Sequence, residues 1–203
     1  MQERIAIVKY NAGNIWSMSC ALQRLGVDPV VTDDPKQLQE ADRVIFPGVG
    51  EASTAMRYLR ERGLDRVLCS LKQPFLGVCL GLQLMCSYSE EHDTPCLGIF
   101  DEPVKLFPNT MKVPHMGWNT LTQLKSGLFK GVPEGSYVYF VHSYYVAAGV
   151  DTIARCDYSL PFSASLHKDN YFGVQFHPEK SGSAGEKILK NFLQWDQGPK
   201  RSI

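Results

Sequence analysis

The sequence predicts an α/β fold built on a mixed, mainly parallel central sheet. In the first half of the chain, short and fully apolar strands alternate with amphipathic helical stretches, which is typical of βαβ units covered on both faces. In the second half, strand-like runs are separated by proline and glycine turns, which predicts antiparallel strands added to the same sheet. No repeat or linker divides the 203 residues, so we expect one domain over residues 1–203.

The individual elements follow from hydrophobic spacing and turn residues. In the first half the pattern predicts strands at residues 5–10, 30–31, 44–46 and 75–78, and helices at residues 15–25, 52–62 and 80–86. Gly26 and Gly63 follow the first two of these helices, where a helix commonly ends. In the second half it predicts strands at residues 104–107, 137–141, 153–156, 163–166 and 171–176, and a last amphipathic helix at residues 183–195.

Charge and hydropathy exclude several classes of protein. The chain has 21 Lys and Arg against 21 Asp and Glu, and it has no basic run of the kind that binds nucleic acid. The longest nearly apolar stretch, residues 75–86, has 12 residues, whereas a membrane span takes about 20. The first residues do not form a secretory signal. We therefore expect a cytoplasmic protein with no nucleic-acid or membrane partner.

The six cysteines show neither a disulfide framework nor the spacing of a metal site. We expect five of them to be small buried hydrophobic residues, namely Cys20, Cys69, Cys86, Cys96 and Cys156. Cys79 is the exception, because its surroundings suggest a nucleophile.

Cys79 lies in the string Gly77-Val78-Cys79-Leu80-Gly81, between a predicted strand and a predicted helix. This is the thiol counterpart of the G-x-S-x-G nucleophile elbow, in which a tight turn leaves no room for a Cβ at the glycine positions. A thiolate at a helix N-terminus is stabilised by unpaired N–H groups and by the helix dipole. The alternative is a buried cysteine between glycines that only permit close packing.

A nucleophilic cysteine needs a base and a group that orients the base. His177 ends the predicted strand at residues 171–176, and Glu179 stands two residues further on, within reach of the imidazole. On its own this is most simply a histidine at a strand end with an incidental neighbour. Together, Cys79, His177 and Glu179 supply nucleophile, base and orienting carboxylate.

These motifs, with Pro47-Gly48-Val49-Gly50 after the third strand, resemble the class I (triad-type) glutamine amidotransferases over nearly the whole chain. Within that family, residues 114–119 (PHMGWN), 139–144 (YFVHSY) and 173–181 (GVQFHPEKS) resemble the glutaminase subunits of imidazole glycerol phosphate synthase. The resemblance implies a three-layer, flavodoxin-like arrangement of the α/β fold. It also implies hydrolysis of glutamine to glutamate and ammonia through a Cys79 thioester, with no cofactor and no metal.

The resemblance assigns roles to further residues. The backbone N–H groups of Val49, Gly50 and Leu80 would form an oxyanion hole. The substrate glutamine would be bound by Gly48, Gly50, Gln83, Ser143 and Tyr144. For Tyr144, packing at a strand end is the plain alternative.

Ammonia released into water would be protonated and lost, so the resemblance also implies a partner. That partner is a (β/α)8-barrel cyclase subunit of histidine biosynthesis, forming a heterodimer that channels ammonia. His115, Met116 and Trp118 would lie at or near the interface.

The first loop departs from the family pattern at Lys9 and Asn11 but keeps Gly13-Asn14.

Three other functions share features with this sequence. A paralogous amidotransferase that feeds another barrel synthase, for example in surface-sugar biosynthesis, stays open because it could keep the same strings. A cysteine peptidase-like hydrolase is disfavoured, since it would not need Gln83 or the string at residues 114–119. A non-catalytic scaffold is disfavoured because nucleophile, base and carboxylate are all present.

Overall fold

The chain folds around a seven-stranded sheet in a computed structural model that describes residues 3–11 and 13–195. The strands are β1 (Ile5–Val8), β2 (Val30–Thr32), β3 (Arg43–Phe46), β4 (Phe75–Val78), β5 (Tyr88–Ser89), β6 (Thr94–Pro95), β7 (Val104–Leu106), β8 (His115–Thr120), β9 (Tyr137–His142), β10 (Tyr144–Val146), β11 (Thr152–Tyr158), β12 (Leu160–Lys168) and β13 (Tyr171–Val174). The α-helices are α1 (Ile15–Arg24), α2 (Pro35–Glu40), α3 (Ala52–Glu61), α4 (Leu64–Ser70), α5 (Leu80–Met85) and α6 (Gly182–Leu193).

The central sheet has the strand order β11-β12-β13-β4-β3-β1-β2. The five strands from β13 to β2 are parallel, whereas β12 pairs antiparallel with both β11 and β13. The mixed, mainly parallel sheet predicted from the sequence is therefore confirmed.

Helices cover both faces of this sheet, because successive side chains of a strand point to opposite faces. On β1, Ile5 and Ile7 join a core cluster that contains side chains of α1 and α6. Ala6 and Val8, between and after them, join a second cluster with side chains of α2, α3, α4 and α5. The sheet is thus the middle of three layers, and each helix buries its apolar side against it.

The register between β4 and β13 determines where the functional segments lie. The two strands are parallel neighbours, and Val78 on β4 pairs with Val174 on β13. Strand β3 pairs with the other side of β4. The segments that follow β3, β4 and β13 therefore leave the sheet at the same carboxyl edge, where open α/β sheets bind ligands.

One expectation about the second half is wrong. Strands β11 and β12 do extend the central sheet, but the predicted runs at residues 104–107 and 137–141 do not. The first run forms β7, in a separate sheet of order β10-β7-β5-β6, and the second forms β9, which pairs only with β8. Alternation of buried and exposed side chains identifies a strand but does not specify which strand it pairs with.

Two short helices escaped the sequence analysis, although one carried a readable signal. Helix α2 begins with Pro35, and the side chain of Asp34 accepts a hydrogen bond from the N–H of Lys36 at 2.9 Å. This combination of an aspartate cap and proline at the first helical position is typical of helix starts. Helix α4 follows α3 almost directly and carries Leu64 and Leu68 into the core.

The cysteines are unpaired, as expected, but Cys69 is not buried. It follows Leu68 on α4, so it is rotated by about 100° away from the face that packs on the sheet. Cys86 and Cys156 are buried, and Cys20 and Cys96 are partly exposed.

Across the described residues, no helix combines the length and the apolar composition needed to cross a membrane.

Close packing of α5 on the sheet leads to a first prediction. A Cβ at Gly81 would lie 1.8 Å from the carbonyl oxygen of Phe46 on β3, and backbone cannot move aside cheaply. We expect Gly81→Ala to lower the free energy of unfolding by about 1–3 kcal/mol, measured by chemical denaturation. Gly26→Asn is the matched control, because Gly26 has a φ of +79° that asparagine tolerates and open space around its Cβ position. An equal loss in both variants would refute the packing argument.

Candidate active site

Cys79 occupies a strained turn between β4 and α5. Its φ is 53° and its ψ is −108°, a backbone conformation that a residue with a side chain rarely adopts. The turn holds because the Cys79 N–H donates to the carbonyl of Val174 at 2.8 Å. A Cβ at Gly77 would meet Sδ of Met85 at 2.4 Å and the backbone of Gly81 at 2.9 Å. The expected requirement for glycine at these positions is confirmed.

The sulfur of Cys79 has a donor and an acceptor beside it. The residue is 6% exposed, and its Sγ lies 3.8 Å from the carbonyl oxygen of Val141 on β9. Nε2 of Gln175, one residue beyond β13, lies 3.6 Å from the same sulfur. The two contacts act in opposite directions, because an amide N–H favours a thiolate whereas a carbonyl oxygen favours the thiol.

His177 and Glu179 form a buried pair beyond β13. Nδ1 of His177 lies 2.8 Å from Oε1 of Glu179, and both side chains are fully shielded from solvent. The expected contact between the two residues is confirmed. Within the described part of the chain, Nε2 of His177 and Oε2 of Glu179 have no hydrogen-bond partner. The proton on Nδ1 points to the carboxylate, so Nε2 is the nitrogen left for chemistry.

Asn14 is a further contact of this pair that sequence reasoning missed. It precedes α1 with a φ of 73°, and its Nδ2 donates to Oε1 of Glu179 and lies 3.2 Å from Nδ1 of His177. Because Nδ1 gives its own proton to Glu179, the amide of Asn14 bonds to the carboxylate and helps to hold it. The only sequence signal was the Gly13-Asn14 turn, which carried no indication of its target.

The electrostatics of His177 favour its charged form. Burial alone lowers the pKa of His177, but its interactions with Cys79 and Glu179 outweigh burial and raise that pKa above its ordinary value of 6.5. The cause is mutual, since an imidazolium stabilises a neighbouring thiolate as the thiolate stabilises it. The arrangement therefore favours the imidazolium form of His177 beside the sulfur of Cys79.

A cleft of about 290 Å³ opens at Cys79. It brings together seven of the residues singled out in the sequence, which are Val49, Gly50, Cys79, Leu80, Gln83, Ser143 and Tyr144. Its remaining lining residues were not predicted, and they are Glu91, Pro114, Val141 and His142. Glu91 is the charged residue among these. Its Oε2 also accepts from the N–H of Ala52, and burial raises its pKa.

One of the predicted oxyanion donors, the N–H of Leu80, is engaged by the protein itself. The N–H of Leu80 donates to the carbonyl oxygen of Gly48 at 3.3 Å, and the carbonyl of Val49 accepts from the N–H of Gly13 at 3.2 Å. Gly48 thus bonds to Leu80 rather than lining the cleft. The oxyanion role of Val49, Gly50 and Leu80 stays a prediction.

Two buried histidines, His142 in the cleft lining and His115 next to it, have defined protonation. Nδ1 of His142 lies 2.7 Å from the carbonyl oxygen of Tyr144, which can only accept, so Nδ1 carries the proton. Burial lowers the pKa of His142 to about 3 and that of His115 to about 4, so both rings are neutral. Nε2 of His142 is then an acceptor and receives the Nδ1 proton of His115 at 3.0 Å. His115 Nε2 in turn accepts from Nδ2 of Asn119 at 3.3 Å.

The three residues predicted for a partner interface do not share one environment. Met116 and Trp118 on β8 are 62% and 55% exposed. His115 is 3% exposed and stacks on Tyr158, with ring centroids 4.0 Å apart. Of the three, Met116 and Trp118 are thus available to a partner, whereas His115 faces inward.

Metal ligation has no basis in the described residues, where no three His, Cys, Asp or Glu side chains gather in a way that could hold an ion.

The structure places a cysteine at a strand–helix elbow and a buried His–Glu pair at the carboxyl edge of an α/β sheet, an arrangement typical of enzymes that use a thiol as nucleophile. The chain belongs to the family described as Glutamine amidotransferase class-I, which it matches over residues 7–195. The resemblance drawn from the motifs is confirmed.

Among curated proteins, the chain is similar to imidazole glycerol phosphate synthase subunit HisH of several bacteria. It is 59% identical over 194 residues to that of Bacteroides fragilis strain YCH46, covering 94% of this chain and 99% of the relative. It is 46% identical over 193 residues to that of Yersinia pseudotuberculosis, covering 94% and 98%. Within its family the chain therefore groups with the HisH subunits.

Solved structures share the fold. A putative GMP synthase protein from Thermoplasma acidophilum superposes with a TM-score of 0.74 at 19% identity, covering 96% of this chain and 94% of that one. A structure described as a glutamine amidotransferase gives a TM-score of 0.73 at 20% identity, covering 93% and 97%.

The neutral histidine pair leads to a second prediction. We expect ¹⁵N NMR of the imidazoles to show the Nδ1–H tautomer for both His115 and His142 and no titration from about pH 8 to about pH 5. An Nε2–H tautomer, or titration of either ring near pH 6.5, would contradict the assignment.

The second prediction extends to stability, because the same shifts should make the free energy of unfolding fall in acid. The unfolded chain binds these protons with an ordinary pKa of 6.5, whereas the folded chain binds them only near pH 4 for His115 and near pH 3 for His142. Below about pH 6.5 the free energy of unfolding should therefore drop by up to about 1.4 kcal/mol per pH unit for each histidine. Urea titrations should show a smaller slope in His115→Phe, which removes one of the two groups.

Proposed function

We propose that the chain is a glutaminase subunit, a single amidotransferase domain that hydrolyses glutamine to glutamate and ammonia for imidazole glycerol phosphate synthesis in the histidine pathway. The observation that carries the proposal is the Cys79 elbow beside a His177 that is paired to Glu179 and has a free Nε2. Identity of 59% to a HisH subunit favours the histidine pathway over a paralogous one.

The geometry supports a two-stage reaction. The Cys79 thiolate attacks the side-chain amide carbon, and Nε2–H of His177 protonates the departing nitrogen, so that ammonia leaves and a glutamyl thioester forms. Nε2 then takes a proton from water as the water oxygen attacks the thioester carbon. Glutamate is released with the thiolate restored and the proton retained on His177. Glu179, held by Asn14, stabilises the imidazolium and fixes its orientation.

The cleft offers complementary groups to an amino-acid substrate. Glutamine carries an α-ammonium group, and Glu91 is the carboxylate of the cleft lining. Gln83, Ser143 and Tyr144 line the same space and supply polar groups for the rest of the zwitterion. We assign Glu91 to the ammonium group, because it is partly shielded from solvent and its charge would be stabilised there by an opposite charge.

The carbonyl of Gly48 blocks one oxyanion donor at rest. The Leu80 N–H that would stabilise the oxyanion already donates to it. For this N–H to reach substrate, the Gly48 carbonyl must first turn away, which costs a hydrogen bond before any is gained. This favours a slow isolated chain whose activity rises when a partner shifts the loop.

We assign a partner, a (β/α)8-barrel cyclase in a heterodimer, to the surface of the antiparallel pair of strands β8 and β9 (residues 115–120 and 137–142), which we call the hairpin. Met116 and Trp118 are exposed there, and large apolar side chains are favoured at interfaces. Met116 pairs across the hairpin with Val141, whose carbonyl lies beside the sulfur of Cys79. A partner on this surface would thus lie close to the point where ammonia forms. Unpaired cysteines favour the reducing cytoplasm as the compartment.

The proposed triad makes a third prediction. Cys79→Ala should lower glutamate release from glutamine, assayed with the cyclase and its ribonucleotide ligand, by at least about 10⁴-fold, because no other group can form the thioester. Glu179→Gln should lower it by about 10²–10⁴-fold by removing the charge that supports the imidazolium. Cys69→Ala, at the exposed cysteine, is the control and should retain activity. Substantial turnover by Cys79→Ala would refute the proposed mechanism.

The proposed interface makes a fourth prediction. Trp118→Asp should raise the Kd for the cyclase at least about tenfold, measured by calorimetry, because it puts a charge into an apolar contact. Val150→Asp is the control, since Val150 is also exposed but lies on the turn between β10 and β11. Equal affinity of Trp118→Asp and the unmodified chain would remove the hairpin from the interface.

A further inference from the structure

Gln175 is a fully buried side chain that contacts the nucleophile and has no role in the mechanism so far. It follows β13 directly, and its backbone N–H donates to the carbonyl of Ala164 on β12 at 2.9 Å. Its Nε2 lies 3.6 Å from Sγ of Cys79, and its Oε1 accepts from Nε2 of Gln83 at 3.0 Å. The side chain is therefore tied down at both ends of its amide.

The orientation of this amide is dictated by a backbone carbonyl. Nε2 of Gln83 lies 3.1 Å from the carbonyl oxygen of Tyr144, which can only accept, so the nitrogen of Gln83 must face it. The second N–H of the same nitrogen then needs an acceptor, and Oε1 of Gln175 is in place. With its oxygen committed to Gln83, Gln175 has to present its nitrogen to the sulfur.

An N–H at this position changes the balance around Cys79. The Val141 carbonyl beside the sulfur can accept a hydrogen bond from the thiol but repels a thiolate. The N–H of Gln175 donates a hydrogen bond to the sulfur. This bond is charge-assisted, and therefore at full strength, only when the sulfur is a thiolate. This N–H belongs to the residue that directly follows β13, and its contact with the sulfur does not involve His177 or Glu179.

We propose that Gln175 is a further catalytic residue, whose amide N–H stabilises the Cys79 thiolate, and that Gln83 is the positioning residue that orients it. The inference rests on the proposed function, in which this thiolate is the nucleophile. Gln83 also lines the cleft. The same side chain would therefore both bind substrate and orient the Gln175 amide that donates to the sulfur.

The test measures the acidity of the sulfur directly. The full chain is alkylated with iodoacetamide over a range of pH without glutamine, and modification of the Cys79 peptide is followed by mass spectrometry. Gln175→Met keeps the volume but removes the donor, and it should raise the midpoint of alkylation by about one to two pH units. Gln175→Glu, which places a carboxylate oxygen near the sulfur, should raise it further.

Two controls separate this effect from a structural one. Cys69 is exposed and reacts in the same sample, so its profile should not move in any variant. Gln73→Met removes a comparable amide that donates to the carbonyl of Leu38, and it should leave the Cys79 profile unchanged. If Gln175→Met and Gln175→Glu both keep the unmodified midpoint, the proposal is overturned.

A double-mutant cycle tests the role of Gln83. Gln83→Met should raise the midpoint less than Gln175→Met, because it frees the Gln175 amide to rotate without removing it. The double variant should match Gln175→Met alone, since Gln83 affects the acidity of the sulfur only through Gln175. Additive shifts would overturn the positioning role.

The proposed function is judged separately in the same experiment. Glutamine should protect Cys79 of the unmodified chain from alkylation. Absence of protection would count against the glutaminase assignment, whereas protection with an unchanged midpoint in the Gln175 variants would overturn this inference alone.

Discussion

The parallel pairing of β4 with β13 is the constraint on which the site depends. The register that joins Val78 to Val174 lets Cys79 donate its N–H to Val174 and places Gln175 and His177 on the adjoining segment. A slip of one residue would turn the side chains of one strand to the opposite face of the sheet. Both strands are buried on each face, so apolar packing fixes the register and, with it, the reacting groups.

Packing and chemistry also meet at the elbow. Glycine at positions 77 and 81 allows β3, β4 and α5 to approach closely, and the same approach forces the unusual backbone angles of Cys79. Strain of this kind persists only where the surrounding structure over-determines it. The site is therefore supported by close packing of the backbone of β3, β4 and α5.

The features that the sequence predicted are local in the chain. The elbow spans five residues, and His177 meets a carboxylate two positions away, so short-range spacing was enough to identify both. The layers also followed from local periodicity, because a strand buried on both faces needs helices on both sides. Asn14 meets Glu179 across 165 positions and Gln175 meets Cys79 across 96, and no spacing rule connects such residues. The prediction that β7 and β9 extend the central sheet failed for the same reason, because the pairing of strands depends on tertiary contacts.

The hydrogen bonds that run from Asn119 through His115 and His142 to Tyr144, and from Tyr144 through Gln83 to Gln175, contain no charged group. Backbone carbonyls of Asp157 and Tyr144 accept along this path and cannot donate, so its polarity cannot be inverted while the fold is intact. Mobile ions screen charges far more strongly than buried dipoles of this kind. The geometry of this buried, uncharged path should thus be indifferent to ionic strength, even under conditions that alter how readily a charged partner associates.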